Sequence, residues 1–188
     1  MIYKHKTQRV AVLVDVQNLY YSAKNLYDAR INFRELLKTA IAGRQIVRAN
    51  AYVIRTDIFK QEQDFFDALN KSGFDIKEKD LQVFAGGQKK GDWDVGIAMD
   101  MIRQAQKSDA IVLMSGDGDY IPVVNYVQQT FGCTVEVIAF GRSCSKNLVE
   151  EADEFLDIEK DYEKYLFKKR YPTKIDQTKI EPNKPAVL

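Results

Sequence analysis

Two cysteines and one histidine among 188 residues remove much of enzyme chemistry before any motif is considered. Cys133 and Cys144 are too few for a disulfide framework. Cys133 stands in an apolar run and reads as a small core residue. His5, alone in a polar N-terminal stretch, leaves no room for a nucleophile–histidine dyad or a histidine-rich zinc site. No apolar run approaches the roughly 20 residues of a membrane span. The N-terminus lacks the apolar core and small-residue cleavage site of a signal peptide, so a cytoplasmic, non-membrane protein is expected. Neither sign of charge dominates: the net charge is +1, which announces no nucleic-acid partner. Residues 160–188 nevertheless carry +4, against −3 for the remainder. Such a basic tail on a slightly acidic body either reaches phosphates or is simply solvated.

Proline is scarce, and three of the four, Pro172, Pro182 and Pro185, fall in the last seventeen residues. The expected organisation is therefore one domain over 1–167 and a polar tail over 168–188. With 45% hydrophobic and 29% charged residues the chain has the composition of a globular domain. It is long enough to bury a core without a structural metal.

Strand-like and helix-like segments alternate. Val10–Val14 is a continuous apolar run of strand length that stops at Asp15. Phe33, Leu36, Leu37, Ala40 and Ile41 share one helical face, and Gly43 follows. Strands are expected over 46–54, 75–84, 109–114, 134–140 and 155–158, with helices over 61–71, 93–106, 121–130 and 145–152. Gly73 stands where a glycine ends the helix over 61–71. Between the third strand and the helix from Trp93 lies AGGQKKGD, a basic, glycine-rich loop. The alternation predicts an α/β fold, a three-layer α/β/α sandwich around a mostly parallel, Rossmann-like sheet. Ligands of such sheets bind at the carboxyl ends of the strands, where strand order reverses.

Acids stand at two such strand ends: Asp15 after the first strand, Asp117 and Asp119 after DAIVLM. Loop aspartates also cap helices, and Asp119 fits that role as well as a metal role. Asp94 is more telling. At about 100° per residue it shares a stripe with Ile97, Ala98, Met101 and Ala105, the core-facing side of its helix. Asp92 is expected to point the opposite way, into solvent, and Asp100 to fall off the stripe as a solvated or surface-paired acid. Crowded carboxylates repel and take up protons unless a cation joins them. An oxygen-only set, Asp15, Asp94, Asp117 and Asp119, suits Mg²⁺ or Mn²⁺. Phosphodiester hydrolysis is the reaction such equipment serves.

VLVDVQN (12–18), KGDWDVGIAMDM (90–101) and SGDGDYIPVV (115–124), followed by VEVIAFG (135–141) and ADEFLDI (152–158), resemble the NYN domain in its LabA-like branch, which is similar to the PIN-like nuclease superfamily. The resemblance spans roughly residues 8–158. It implies a PIN-like α/β/α fold and a metal-dependent endoribonuclease acting on RNA. It carries catalytic roles to Asp15, Asn18, Asp94, Asp117 and Asp119, with Asn18 contacting a metal-bound water or a phosphate. On its residues alone Asn18 reads equally as a turn or cap. Trp93 departs from the family, which more often has a small or aliphatic residue there. It either packs or offers a base a stacking face. Lys89 and Lys90 either contact phosphates beside the scissile bond or are solvated, and Ser115 is a further candidate substrate contact. Tyr20, Tyr21 and Tyr27 either stack on bases or line an amphipathic face.

Other chemistries fit less well. A phosphatase of the haloacid-dehalogenase type needs a second aspartate two residues after Asp15, where Gln17 stands. A dinucleotide cofactor needs a glycine fingerprint where the chain reads DVQNLYY, and a P-loop needs a Gly-Lys-Ser/Thr that is missing. The remaining alternative is an NYN-like module that binds RNA or protein as a regulator without cutting.

Overall fold

The computed structural model describes residues 4–55, 60–83 and 89–167. Its centre is a six-stranded sheet, and every neighbouring pair in it is parallel. The elements run β1 (Arg9–Asp15), α1 (Val16–Tyr27), β2 (Arg30–Ile31), α2 (Phe33–Ile41), β3 (Gln45–Arg55), α3 (Lys60–Ser72), β4 (Asp75–Asp80), β5 (Gln82–Val83) and β6 (Lys89–Lys90). There follow α4 (Asp94–Ala105), β7 (Ala110–Met114), α5 (Ile121–Phe131), β8 (Thr134–Ala139), α6 (Lys146–Glu151), β9 (Glu154–Asp157), α7 (Tyr162–Tyr165) and β10 (Leu166–Phe167). The sheet order is β4-β3-β1-β7-β8-β9. The first three large strands step outward one way from β1 and the last three the other way from β7, so strand order reverses between β1 and β7. That is the crevice in which doubly wound sheets place ligands.

Both faces of the sheet are covered, which is why β1 reads as an unbroken apolar run although its side chains alternate. Val10, Val12 and Val14 join one core with residues of α1, α2 and α3. Ala11 and Leu13 join the other with Ile97, Met101 and Ala105 of α4 and Val123, Val124 and Val127 of α5. Local signals set the helix ends. Asn32 caps α2 by accepting from the Glu35 N–H at 3.3 Å, and Ala42 closes it in the left-handed region at φ 48°. Cys133 is buried in the second core, as its apolar setting predicts, and burial pushes its thiol up to about 12. No described helix is long and apolar enough to cross a membrane.

Two expectations need correction. Lys89 and Lys90 are not loop residues: they form β6, antiparallel to β5. Residues 84–88 of that region, and the tail 168–188, lie outside the described residues. Asp100 is neither solvated nor on the surface. It is 4% exposed, and its carboxylate accepts from the Tyr52 hydroxyl at 2.8 Å, from Arg103 at 3.1 Å and from the Lys77 ammonium. Burial works to raise its pKa, but the hydrogen bonds from Lys77 and Tyr52 outweigh it and hold the carboxyl below its ordinary range. The helical period placed Asp100 off the apolar stripe of α4, but that flank faces β3 and β4 rather than water. These bonds fix α4, and with it Asp94, against the sheet.

Candidate functional site

Val14 pairs with Met114, so the acids at the ends of β1 and β7 emerge side by side. Asp15 is the N-cap of α1, accepting from the Asn18 N–H at 3.0 Å. Asp117 caps a 3-10 turn over Gly118–Tyr120, accepting from the Asp119 N–H at 3.0 Å. The Asn18 side-chain oxygen accepts from the Gly116 N–H at 3.0 Å and clasps the two strand exits together. Gly116 fits closely there: a Cβ would stand 3.0 Å from the Cys144 Cα and 3.1 Å from the Ser143 carbonyl oxygen, so a larger residue would have to push that backbone aside by a few tenths of an ångström. The 3-10 turn directs Tyr120 back beneath the acids, where it is buried. Its hydroxyl lies 3.2 Å from Asp94 Oδ1 and 3.4 Å from Asp15 Oδ2, donating one proton shared between two carboxylates.

These acids sense one another. Burial, then the charges of Asp94 and Asp117, push the Asp15 carboxyl above its ordinary pKa; hydrogen bonds from Asn18 and Tyr120 offset only part of that. Asp94 is raised by burial and by the charges of Asp92, Asp117 and Asp119, against the pull of the Tyr120 hydroxyl. The Tyr120 phenol is raised far beyond its usual range by burial and by Asp15 and Asp94, so it stays a donor at any working pH. Among the described residues, no three acidic, histidine or cysteine side chains converge closely enough as they stand to hold a metal ion. The donor chemistry nonetheless fits one: all oxygen, and crowded enough that the acids repel.

The acids open into a cleft of about 410 Å³ lined by Asp15, Asp92, Trp93, Asp94 and Asp117, the α1 residues Gln17, Asn18, Tyr21, Ser22, Asn25 and Leu26, and Ser143. A family model for the NYN domain matches residues 9–159, the stretch that holds every residue of this cleft. The chain belongs to the NYN domain family. NYN domains form part of the PIN-like nuclease superfamily. One curated relative is the low amplitude and bright protein LabA of Synechococcus elongatus, 26% identical over 167 residues that take in 81% of this chain and 85% of LabA. A crystal structure of a protein of unknown function from Vibrio parahaemolyticus superposes with a TM-score of 0.80 at 32% identity, covering 88% of this chain and 100% of that one.

Within this NYN domain the sequence-derived residues fall in different places. Asp15, Asp94 and Asp117 line the cleft and Asn18 braces it. Asp119 is exposed at the rim and caps no helix: Asp117 caps the 3-10 turn, and α5 starts from Tyr120 without a side-chain cap. Ser115 is fully buried, its hydroxyl oxygen accepting from the Asp117 N–H at 3.3 Å, so it shapes the loop from below. Asp92 does not point away into solvent: it is half-buried and lines the cleft. It precedes α4, so the helical period does not govern its direction. Trp93 packs, its indole N–H donating to the Val53 carbonyl at 2.8 Å and its ring meeting Tyr52 edge-on at 5.4 Å. The residue that sequence reasoning missed is Tyr120. Tyrosine after SGDGD carries no polar signal of its own, and only the turn that buries it brings its hydroxyl to two acids.

Proposed function

We propose that the protein is a metal-dependent ribonuclease that hydrolyses RNA phosphodiester bonds in the cleft between α1 and the loop after β7. The observation that carries the reading is the pair Asp15 and Asp94, drawn to one buried hydroxyl at the sheet's switch point with their carboxyls raised by burial and by the charges of neighbouring aspartates. Asp15, Asp94 and Asp117, with Asp119 at the rim, would hold Mg²⁺ or Mn²⁺. When bound, such an ion polarises a phosphoryl oxygen and activates water at neutral pH. Asn18 keeps the two strand exits at a constant separation, and Ser115 holds the backbone of Asp117 in place. Tyr120 keeps Asp15 and Asp94 turned toward each other. Lys89 and Lys90, on the approach to α4, would meet phosphates flanking the scissile bond.

The test is RNA cleavage by purified protein with Mg²⁺ or Mn²⁺, repeated in EDTA and with Asp117→Asn. Chelation should stop cleavage. The variant should lose on the order of a thousandfold in rate, from about 4 kcal/mol of lost charge stabilisation at about 1.4 kcal/mol per tenfold. RNA binding should persist in Asp117→Asn, because a charge that repels phosphates has gone. Activity that survives exhaustive chelation sinks the mechanism.

One observation favours a second reading, an RNA- or protein-binding regulator that does not cut. Asp15 and Asp117 each already serve as caps, a structural use that needs no cation. On that reading the wild-type protein binds RNA and leaves it intact with either metal.

A further inference from the structure

The three tyrosines near β1 differ in their surroundings, although the rings of Tyr20 and Tyr21 meet edge-on at 5.5 Å between centres. Tyr27 stacks on Tyr162 at 5.4 Å, and Tyr20 lies under Lys24, whose ammonium is 5.9 Å from the ring centre. Tyr21 alone lines the cleft, and it is 50% exposed. It does not stand alone there. Gln17, Tyr21 and Asn25 recur every four residues, so they form one ridge of α1. Beside it run Asn18 and Ser22, while Val16, Leu19 and Ala23 face the core. The helix has one charged side chain, Lys24, and it is not among the residues lining the cleft. The cleft therefore has a floor of acids and one long wall that is neutral, with an exposed aromatic ring between two amides.

We infer that this face of α1 is a nucleobase-recognition wall, with Tyr21 the stacking platform and Gln17 and Asn25 the groups that read base edges. The inference rests on the proposal that an RNA phosphodiester sits at the acids. A wall meant for the phosphate chain would carry cations, and this one carries none. Bases, by contrast, stack on aromatic rings and pair with groups that both donate and accept, as side-chain amides do. The spacing suits a neighbouring nucleotide: at 1.5 Å rise per residue, Tyr21 lies about 9 Å along the helix from Asp15, and Asn25 about 15 Å. Ser22 and Asn18 are already engaged, Ser22 with Ser143 at 2.9 Å and Asn18 with Gly116. They stiffen the wall and leave the Tyr21 ridge to the ligand.

The experiment measures binding of a short single-stranded ribo-oligonucleotide by fluorescence anisotropy in EDTA at low salt. It compares wild type, Tyr21→Phe and Tyr21→Ala, each with the intact strand and with an abasic strand of equal length. Tyr21→Ala should lose on the order of tenfold in affinity for the intact strand. It should bind the abasic strand as wild type does, and melt close to the wild-type temperature because the ring is half exposed and gives up an edge contact with the equally surface-lying Tyr20. Tyr21→Phe should stay within about twofold of wild type, since stacking needs only the ring. If Tyr21→Ala binds the intact strand normally, or loses equally on the abasic one, or if Tyr21→Phe is as weak as Tyr21→Ala, the stacking wall is refuted. Wild-type protein that shows the stacking pattern but cuts nothing with Mg²⁺ or Mn²⁺ leaves the wall standing and removes the nuclease. Wild-type protein that binds no RNA removes both.

Discussion

Replacing Tyr120 by phenylalanine isolates the hydroxyl that Asp15 and Asp94 share. The ring is 1% exposed, so Phe keeps the packing and deletes only the donor. Its contacts of 3.2 and 3.4 Å are long for O–H···O bonds, which cluster between about 2.5 and 3.0 Å. The loss therefore belongs at the low end for hydrogen bonds to charged groups, about 1.5 kcal/mol. In a domain of this size that lowers Tm by roughly 3–6 °C in metal-free buffer. The effect depends on pH with a definite sign. Both acids have folded pKa values above their unfolded ones, so between those values the native state binds more protons, and stability falls as pH rises. The Tyr120 bond opposes that shift at both residues, so its loss raises both further. The gap in Tm between wild type and Tyr120→Phe should thus widen as pH rises above the ordinary carboxylate range. Because groups that orient metal ligands typically contribute about 10–100-fold to metal affinity, Mn²⁺ binding should weaken by at least about tenfold. Thermal melts in EDTA across a pH series, with Mn²⁺ titration calorimetry, read both effects. A variant with wild-type Tm at every pH and unchanged Mn²⁺ affinity would falsify the idea that Tyr120 organises the two acids.

Asp100→Ala should lower stability by about 2 kcal/mol. It leaves the proton of the buried Tyr52 hydroxyl without its acceptor, although the oxygen still accepts from the Asn50 amide at 3.3 Å, whereas Lys77 and Arg103 reach water and soften the loss; chemical denaturation measures it, and a change below about 0.5 kcal/mol contradicts the account. Gly96→Ala puts a Cβ 2.5 Å from the Trp93 ring and should expel it from the cleft wall. Trp93 is the only tryptophan, so a red shift in its emission reports the movement, and unchanged emission refutes it. In metal-free wild type, lowering the pH from neutrality should first raise Tm as Asp15 and Asp94 protonate. Tm should then fall once pH passes below the ordinary carboxylate range, because Asp100 and Asp109, both held low, lose their charge-assisted partners. Saturating Mg²⁺ should abolish the first phase and leave the second, and a Tm that only declines on acidification contradicts the raised carboxyls.

Local chemistry was enough to read the alternation of strands and helices, because period and length are properties of neighbouring residues. A strand buried on both faces must be apolar throughout, and Val10–Val14 shows that directly; Asp15 at its end is conspicuous for the same reason. The helical period put Asp94 at the head of the Ile97–Met101 stripe, and α4 carries it there. Distance in space was not legible in that way. Met114 lies ninety-nine positions after Asp15, and only the pairing of β1 with β7, a choice made by the whole sheet, sets their loops side by side. The same holds for polar residues whose partners are remote. Asp100 looked solvated until Tyr52 of β3 and Lys77 of β4 closed over it, and Asp92 escaped the helical period because α4 begins two residues later. Three tyrosines at helical spacing are equivalent on paper, and packing alone left Tyr21 facing the cleft. A side chain's direction follows from its own element, but what it meets depends on which other elements arrive beside it, and tertiary structure alone decides that.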